Sequence, residues 1–325
     1  MEHGDPVATR PDRMMGLDKD RPAMSAVSTD TTIATGQSRP ATHIDPARHS
    51  RSISDALLVF DGSKADERVA SVADGVATVF ETHLEAVLTN EIVFPTSGFG
   101  ELLTPPYEIS RLDEAAADRA AKKLTERLER TGHPFDLRRL DALGFELENS
   151  VSSLSRCVDL VIAARAEGTV EQRPNFTEAV LFGSGTPMLV CPPSIEWFDP
   201  AAPAVIGWKN RPECSRAIAG ALPFLQRARD VFLVTVSEYG ADEQFHREPA
   251  ADMARHLARH GIRVEIRHLP KWDHPADALL NETKATGAGL LVTGAYGHSR
   301  FSEWLLGGVT RELLKRTDVA ALLCH

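Results

Sequence analysis

The sequence predicts an α/β fold in which two doubly wound parallel-sheet units of Rossmann-like type stand in tandem behind an N-terminal tail. Three observations carry that reading. Short apolar runs alternate with amphipathic segments over residues 55–325, the order of elements repeats once, and each repeat closes on an uncharged apolar run, Met188-Leu-Val-Cys191 and Ala320-Ala-Leu-Leu-Cys324. Alternation of strand and helix implies a parallel sheet covered on both faces.

Residues 1–52 are rich in Pro, Ser, Thr, Asp and Arg and carry no hydrophobic period, so they are expected to be a disordered tail. The first unit, residues 53–192, opens with a strand over 56–60 and then Asp61-Gly62-Ser63, where Asp61 or Ser63 is placed to cap a helix over 65–80. A strand over 84–88 leads through a Pro- and Gly-containing connection, 90–107, to a helix over 110–131. Strand 135–140, helix 145–156, strand 158–163, helix 176–182 and strand 188–191 complete the unit. Residues 193–203 read as a linker running over the outside.

The second unit, residues 204–325, repeats the order: strand 204–208, helix 212–227, strand 231–236, helix 244–260, strand 264–269 and helix 275–286. Asp273 or His274 is the expected cap of the helix at Pro275. A strand over 290–292, a helix over 311–316 and a strand over 320–324 follow.

The chain is organised around residues 290–314. An apolar run opens directly into Gly294-Ala-Tyr-Gly297, where backbone turns with no Cβ in the way, and nine residues later comes Gly307-Gly308-Val309-Thr310 ahead of a helix. Loop glycines bring main-chain N–H groups close to a ligand, and the following helix aims its positive end at the same place. A phosphate is the natural guest.

The spacing Gly294-x2-Gly297-x9-Gly307, with the strands before and after it, resembles the nucleotide-binding end of the universal stress protein family. From about residue 55 to 325 the chain resembles two tandem domains of that family. The resemblance implies a stress-response protein that binds ATP, with Mg if ATP is the ligand, or another phosphate-bearing molecule. It implies binding or signalling more readily than a defined reaction. Carried over residue by residue, Gly294 falls near the ribose and Gly297 beside the phosphates, with Gly307, Gly308 and Val309 continuing the cradle. Thr293 occupies another position the family uses, and Val236 is an adenine-side contact.

Two departures matter. Gly308 stands where ATP binders carry Ser or Thr, so the hydroxyl is gone, and Thr310 is a candidate to supply one. Lys209, within Trp208-Lys-Asn-Arg211, stands where ATP binders carry an Asp that meets adenine, and a cation has no acceptor for the adenine amino group. Lys209 and Arg211 are candidates to meet phosphate charge, and Tyr296 and His298 to stack or hydrogen-bond. The first unit keeps Asp61-Gly62-Ser63 but has Ala164-Arg-Ala-Glu167 in place of the glycine loop, so its site is degenerate and Glu167 would repel a phosphate.

A ligand-free structural or interaction protein is the alternative, since Lys209 and Gly308 both depart from the binding pattern, and a weak ATP hydrolase ranks last. No Gly-x4-Gly-Lys-Ser/Thr loop, His-Glu-x-x-His or Gly-x-Ser-x-Gly occurs, so no catalytic residue is named. A formal net charge of -10 argues against a nucleic-acid partner. No membrane span or secretory signal is readable, which leaves the cytoplasm as the expected location. Cys157, Cys191, Cys214 and Cys324 show no metal-ligand spacing and are expected to be small buried residues. Because the family resembles a set of dimers joined through terminal strands, the two units are expected to pack as an intrachain pseudo-dimer across strands 188–191 and 320–324. A further homodimer is compatible with that arrangement.

Overall fold

A computed structural model describes residues 34–35, 52–92, 106–165, 176–237, 243–295 and 308–325. Its elements in chain order begin with β1 (Ala34–Thr35), β2 (Asp55–Phe60), α1 (Asp66–Phe80), β3 (His83–Glu91), α2 (Pro106–Glu129) and β4 (Phe135–Ala142). There follow α3 (Gly144–Ser155), β5 (Leu160–Ala164), α4 (Phe176–Gly183) and β6 (Met188–Cys191). The second half comprises β7 (Ala204–Gly207), α5 (Pro212–Leu225), β8 (Val231–Val236), α6 (Glu243–Arg259), β9 (Val264–Leu269), α7 (Pro275–Thr286), β10 (Leu290–Gly294), α8 (Gly308–Arg316) and β11 (Ala320–Cys324). Apart from Ala34, Thr35 and Ser52, the expected tail lies outside the described residues. Ala34 and Thr35 pair antiparallel with Leu137 and Asp136 of β4.

All these strands form one sheet in the order β1-β4-β3-β2-β5-β6-β11-β10-β7-β8-β9. Within β2–β6 and within β7–β11 every neighbouring pair is parallel, because helices join the strands and return the chain to the same end. Each half therefore starts at its middle strand, builds outward to one side, and then crosses to the other. That reversal puts a switch point between β2 and β5, and again between β7 and β10, where a crevice opens beyond the carboxyl ends of the strands.

The halves meet where β6 runs antiparallel to β11, with Leu189 opposite Leu322 at the centre of the register. A pseudo-twofold axis passes through that pair, since Val190 faces Ala321 and Met188 faces Leu323 on either side. One face of the sheet carries a continuous core across the junction, drawn from α1, α2, α5 and α6. The opposite face carries two separate clusters, one under α3 and α4 and one under α7 and α8. Ala295 and Leu323 of the second half join the cluster under α3 and α4, so the halves interlock on that side too.

The connection between halves does not run over the outside. Phe198 and Ile195 are buried in the continuous core, and the Glu196 carbonyl accepts a 2.7 Å bond from the Ser71 hydroxyl on α1. An aromatic and a branched aliphatic among the connecting residues find more apolar surface inward than a solvent path offers.

Helix starts also depart from expectation. Asp61 and Ser63 do not cap α1: their side chains accept from Ser63 N–H and Ala65 N–H in local turns, while Ala65 stands at the cap position without a side-chain bond. His274 occupies the cap position of α7 but its ring makes no cap bond, and Asp273 lies one residue outside. α8 begins at Gly308, three residues before the expected Arg311. Among the cysteines, Cys191, Cys214 and Cys324 are buried as expected, whereas Cys157 is exposed.

Candidate functional site

At the switch point of the second half, β7 ends on Gly207 and β10 on Thr293-Gly294, with Gly207 beside Thr293 in register. Gly294 abuts the first turn of α5: a Cβ there would lie 2.7 Å from the Cys214 backbone nitrogen and 2.8 Å from the Glu213 carbonyl carbon. Any larger residue would push α5 off the strand. Burial raises the Cys214 thiol above its ordinary pKa, while backbone groups of Lys209 and Gly294 beside the sulfur pull it the other way.

Trp208 follows β7 directly, and its main-chain N–H donates to the Val234 carbonyl at 2.8 Å, continuing the ladder by one residue. Its indole is turned into the core beside α5, only 7% exposed, and the Nε1–H has no acceptor. A buried donor left unmet costs about 1–3 kcal/mol, so this indole is a costly feature just beyond the end of β7. Lys209 and Arg211 are exposed on the following turn, where Arg211 N–H donates to the Lys209 carbonyl at 2.7 Å. Val236 ends β8, half-buried, next to the same crevice.

α8 connects the parallel strands β10 and β11, so its N-terminus lies on the carboxyl side with the other candidates. Gly308 is exposed and a Cβ there would meet nothing within 4 Å, which leaves the first turn of α8 open. Val309 is exposed, whereas Thr310 is buried on the inner side with Leu313. Thr293 is buried, and its hydroxyl donates to the Gly294 carbonyl at 3.4 Å. Tyr296, Gly297, His298 and Gly307 lie outside the described residues. The structure thus brings Thr293, Gly294, Trp208 and Lys209 to one end of the sheet, with Val236 and the α8 start on the same side.

The first half is closed at its own switch point. Asp66, in the first turn of α1, reaches back so that its carboxylate accepts Asp61 N–H at 3.1 Å and Gly62 N–H at 2.9 Å. An internal carboxyl group therefore occupies the loop amides beyond β2. Burial raises the Asp66 pKa from 3.8 to about 7, with the Asp61 charge adding to the rise and the two amide bonds opposing it. A raised carboxyl binds its proton more tightly in the folded state. Its stabilising contribution is present below the unfolded value near 4 and is lost as pH rises through about 7. We expect Asp66→Asn to cancel a slope of up to about 1.4 kcal/mol per pH unit across that window. Urea unfolding from pH 5 to 8 measures it, and a pH-independent difference between variant and parent would refute it.

Beyond β5, Arg165 stands one residue after the position matching Gly294. Its Nη1 donates to the Leu314 and Thr317 carbonyls at 3.1 and 3.0 Å, at the C-terminal end of α8. Those carbonyls lack partners within the helix, and a cation there also meets the negative end of its dipole. The loop that lost its glycines in the first half now anchors the helix that leaves the candidate loop in the second. Sequence reasoning missed Asp66 and Arg165. An acid in a first helical turn was a signal for Asp66, but nothing local points from Arg165 to residues about 150 positions away.

These features define the class: a doubly wound α/β protein in two similar halves, open at one switch point and closed at the other. Residues 205–325 match the Universal stress protein family. The fold likeness extends over both halves. A universal stress protein from Archaeoglobus fulgidus DSM 4304 superposes with a TM-score of 0.66 at 15% identity, covering 83% of this chain and 95% of that one. A putative universal stress protein from Pseudomonas aeruginosa UCBPP-PA14 gives a TM-score of 0.51 at 15% identity, covering 84% and 93%. A functionally unknown protein from Pseudomonas aeruginosa PAO1 gives the same TM-score and identity, covering 84% and 92%. No curated protein matches the sequence. Among the described residues, no helix is long and apolar enough to cross a membrane.

Proposed function

We propose that the C-terminal half binds a nucleotide, or another phosphate-bearing ligand, at the switch point between β7 and β10, in the service of a stress response. The contrast between halves carries this reading. Where the first half meets its loop amides with Asp66, the second half presents the unmet Trp208 Nε1–H, the Lys209 turn and the open start of α8. All are donors or positive ends, so the expected guest is rich in acceptors and negatively charged. The first half acts as a second, closed domain of the same kind.

One observation favours a purely structural reading: the packing of Gly294 against α5 accounts for that glycine without a ligand. Gly308→Glu separates the two. The side chain enters open space, and an acid at a helix N-terminus favours the helix, so folding is retained. A phosphate ligand, by contrast, meets a carboxylate at its cradle. Equilibrium dialysis with labelled ATP, ADP, AMP and cyclic nucleotides is expected to show saturable binding that G308E abolishes. Trp208→Phe should weaken it tenfold or more, the ~1.5–3 kcal/mol of a hydrogen bond to a charged acceptor. Absence of saturable binding at millimolar ligand leaves the structural reading.

A further inference from the structure

The geometry points to a divalent transition-metal site of zinc type on the first half, formed by His83, Glu85 and Asp136 on β3 and β4, five strands of the sheet away from the candidate ligand crevice between β10 and β7. His83 and Glu85 are two apart on β3 and share one face, and Asp136 of β4 sits beside Glu85 in register on that same face. These are strand positions near the amino ends of both strands, so the three side chains spring from rigid backbone.

His83 Nε2 lies 3.1 Å from Asp136 Oδ2 and 3.8 Å from Glu85 Oε1. The three ligand atoms all fall within 4.8 Å of one another. Each side chain is about 70% buried, with exposures of 31%, 27% and 31%, which leaves one open side for an ion and its water. Arg138 approaches the other oxygen of Glu85, with Nη2 to Oε2 at 3.4 Å, and leaves Oε1 toward the imidazole.

As a protein-only cluster the arrangement is poorly resolved. Two carboxylates stand side by side on neighbouring strands, a like-charge pair of which Arg138 offsets Glu85 through Oε2 at 3.4 Å. Neutral imidazole has a single N–H to give, and it is within bonding distance of Asp136 alone; Glu85 Oε1 at 3.8 Å is beyond hydrogen-bond range. A divalent cation removes both difficulties, because it takes all three atoms as ligands and neutralises the carboxylates. Imidazole with carboxylate oxygens suits zinc and its first-row neighbours, whereas magnesium and calcium favour all-oxygen shells. Zinc–ligand bonds of about 2.0–2.2 Å place tetrahedral ligands roughly 3.4 Å apart, so side-chain rotations of about 1 Å close the site. Three protein ligands leave the fourth position to water.

The test uses the full chain stripped of metal, titrated with zinc by calorimetry and with cobalt by visible absorption, which reports coordination geometry. His256, on the last turns of α6, and His260, just past its end, are the natural competitors, with ring centroids 4.8 Å from one another. One equivalent of zinc is expected to bind, with affinity falling at least 10–100-fold in both His83→Gln and Asp136→Asn, the loss that even an outer-shell partner brings. His256→Gln should leave that equivalent unchanged, and circular dichroism verifies the fold of each variant. No saturable zinc binding, or binding that H83Q and D136N leave intact, overturns the proposal.

Discussion

Leu189→Asp is expected to destroy the joint unfolding of the two halves. Leu189 and Leu322 face each other at the centre of the β6–β11 pairing, both fully buried, and both belong to the core that runs unbroken across the junction. A carboxylate at either position has no cationic partner among the buried residues of that core. An uncompensated buried charge costs about 3–5 kcal/mol, a large part of the stability of any domain. The loss falls on both halves at once, because α1 and α5 pack on the same cluster. Urea unfolding followed by far-ultraviolet dichroism and tryptophan fluorescence should change from one coincident transition to two, and Leu322→Asp should behave alike. Two autonomous domains would instead show the loss in the mutated half alone.

Most strands were legible because parallel strands buried on both faces read as unbroken apolar runs, while the edge strand β9, Val264-Glu-Ile-Arg-His-Leu269, reads as an alternation of apolar and polar residues. Residues 188–191, 231–236, 264–269 and 320–324 keep their expected bounds in the structure. Helix starts were less so. Gly308-Val309-Thr310 are indifferent helix formers, and α8 includes them because the chain must return between β10 and β11. Asp61 and Ser63 fit a capping pattern, yet the carboxylate that orders the loop comes from Asp66, further along. Side-chain identity alone does not say which of several nearby acids wins the backbone amides.

The candidate site was legible as a pattern but not as a set of contacts. Gly294 stood out for its place after an apolar run, but the reason for a glycine there lies in α5, some 80 residues earlier in the chain. Trp208 carried no signal, since an aromatic after a strand is ordinarily core; only burial without an acceptor marks it. His83 and Asp136 are likewise brought together by strand pairing across 53 residues. Interactions of that span are products of topology, which a local pattern does not encode.

Asymmetry between the halves follows from the same topology. With β6 and β11 antiparallel, the loop after β5 is carried next to the end of α8, and Arg165 uses that proximity to hold the helix by its carbonyls. In the second half Gly294, which matches Ala164 just before Arg165, lets α5 lie close to its strand instead. Divergence of the first loop therefore serves the site in the second.

Phe198→Ala tests whether the connection is a structural member of the core. Phe198 is 1% exposed, and its ring meets Phe224 of α5 edge-on at 5.9 Å, while Phe224 meets Phe80 of α1 at 5.2 Å. The three rings form a row that begins in the first half, passes through α5 of the second and ends in the connection. Arg227 closes one end, with its guanidinium 4.4 Å from the Phe80 centroid. The backbone is fitted as closely as the rings, since a Cβ on Gly75 of α1 would fall 2.6 Å from the Phe198 carbonyl oxygen. Removing the ring takes away its transfer energy and leaves a cavity whose walls are two helices and a sheet, so relaxation is limited. The expected cost is about 3–5 kcal/mol, the range for a buried Phe cut to Ala. Trp197, its neighbour at 62% exposure, supplies the control: Trp197→Ala should change stability by less than about 0.5 kcal/mol. Urea midpoints of the two variants decide the matter, and equal small shifts in both would show that the connection is only a tether.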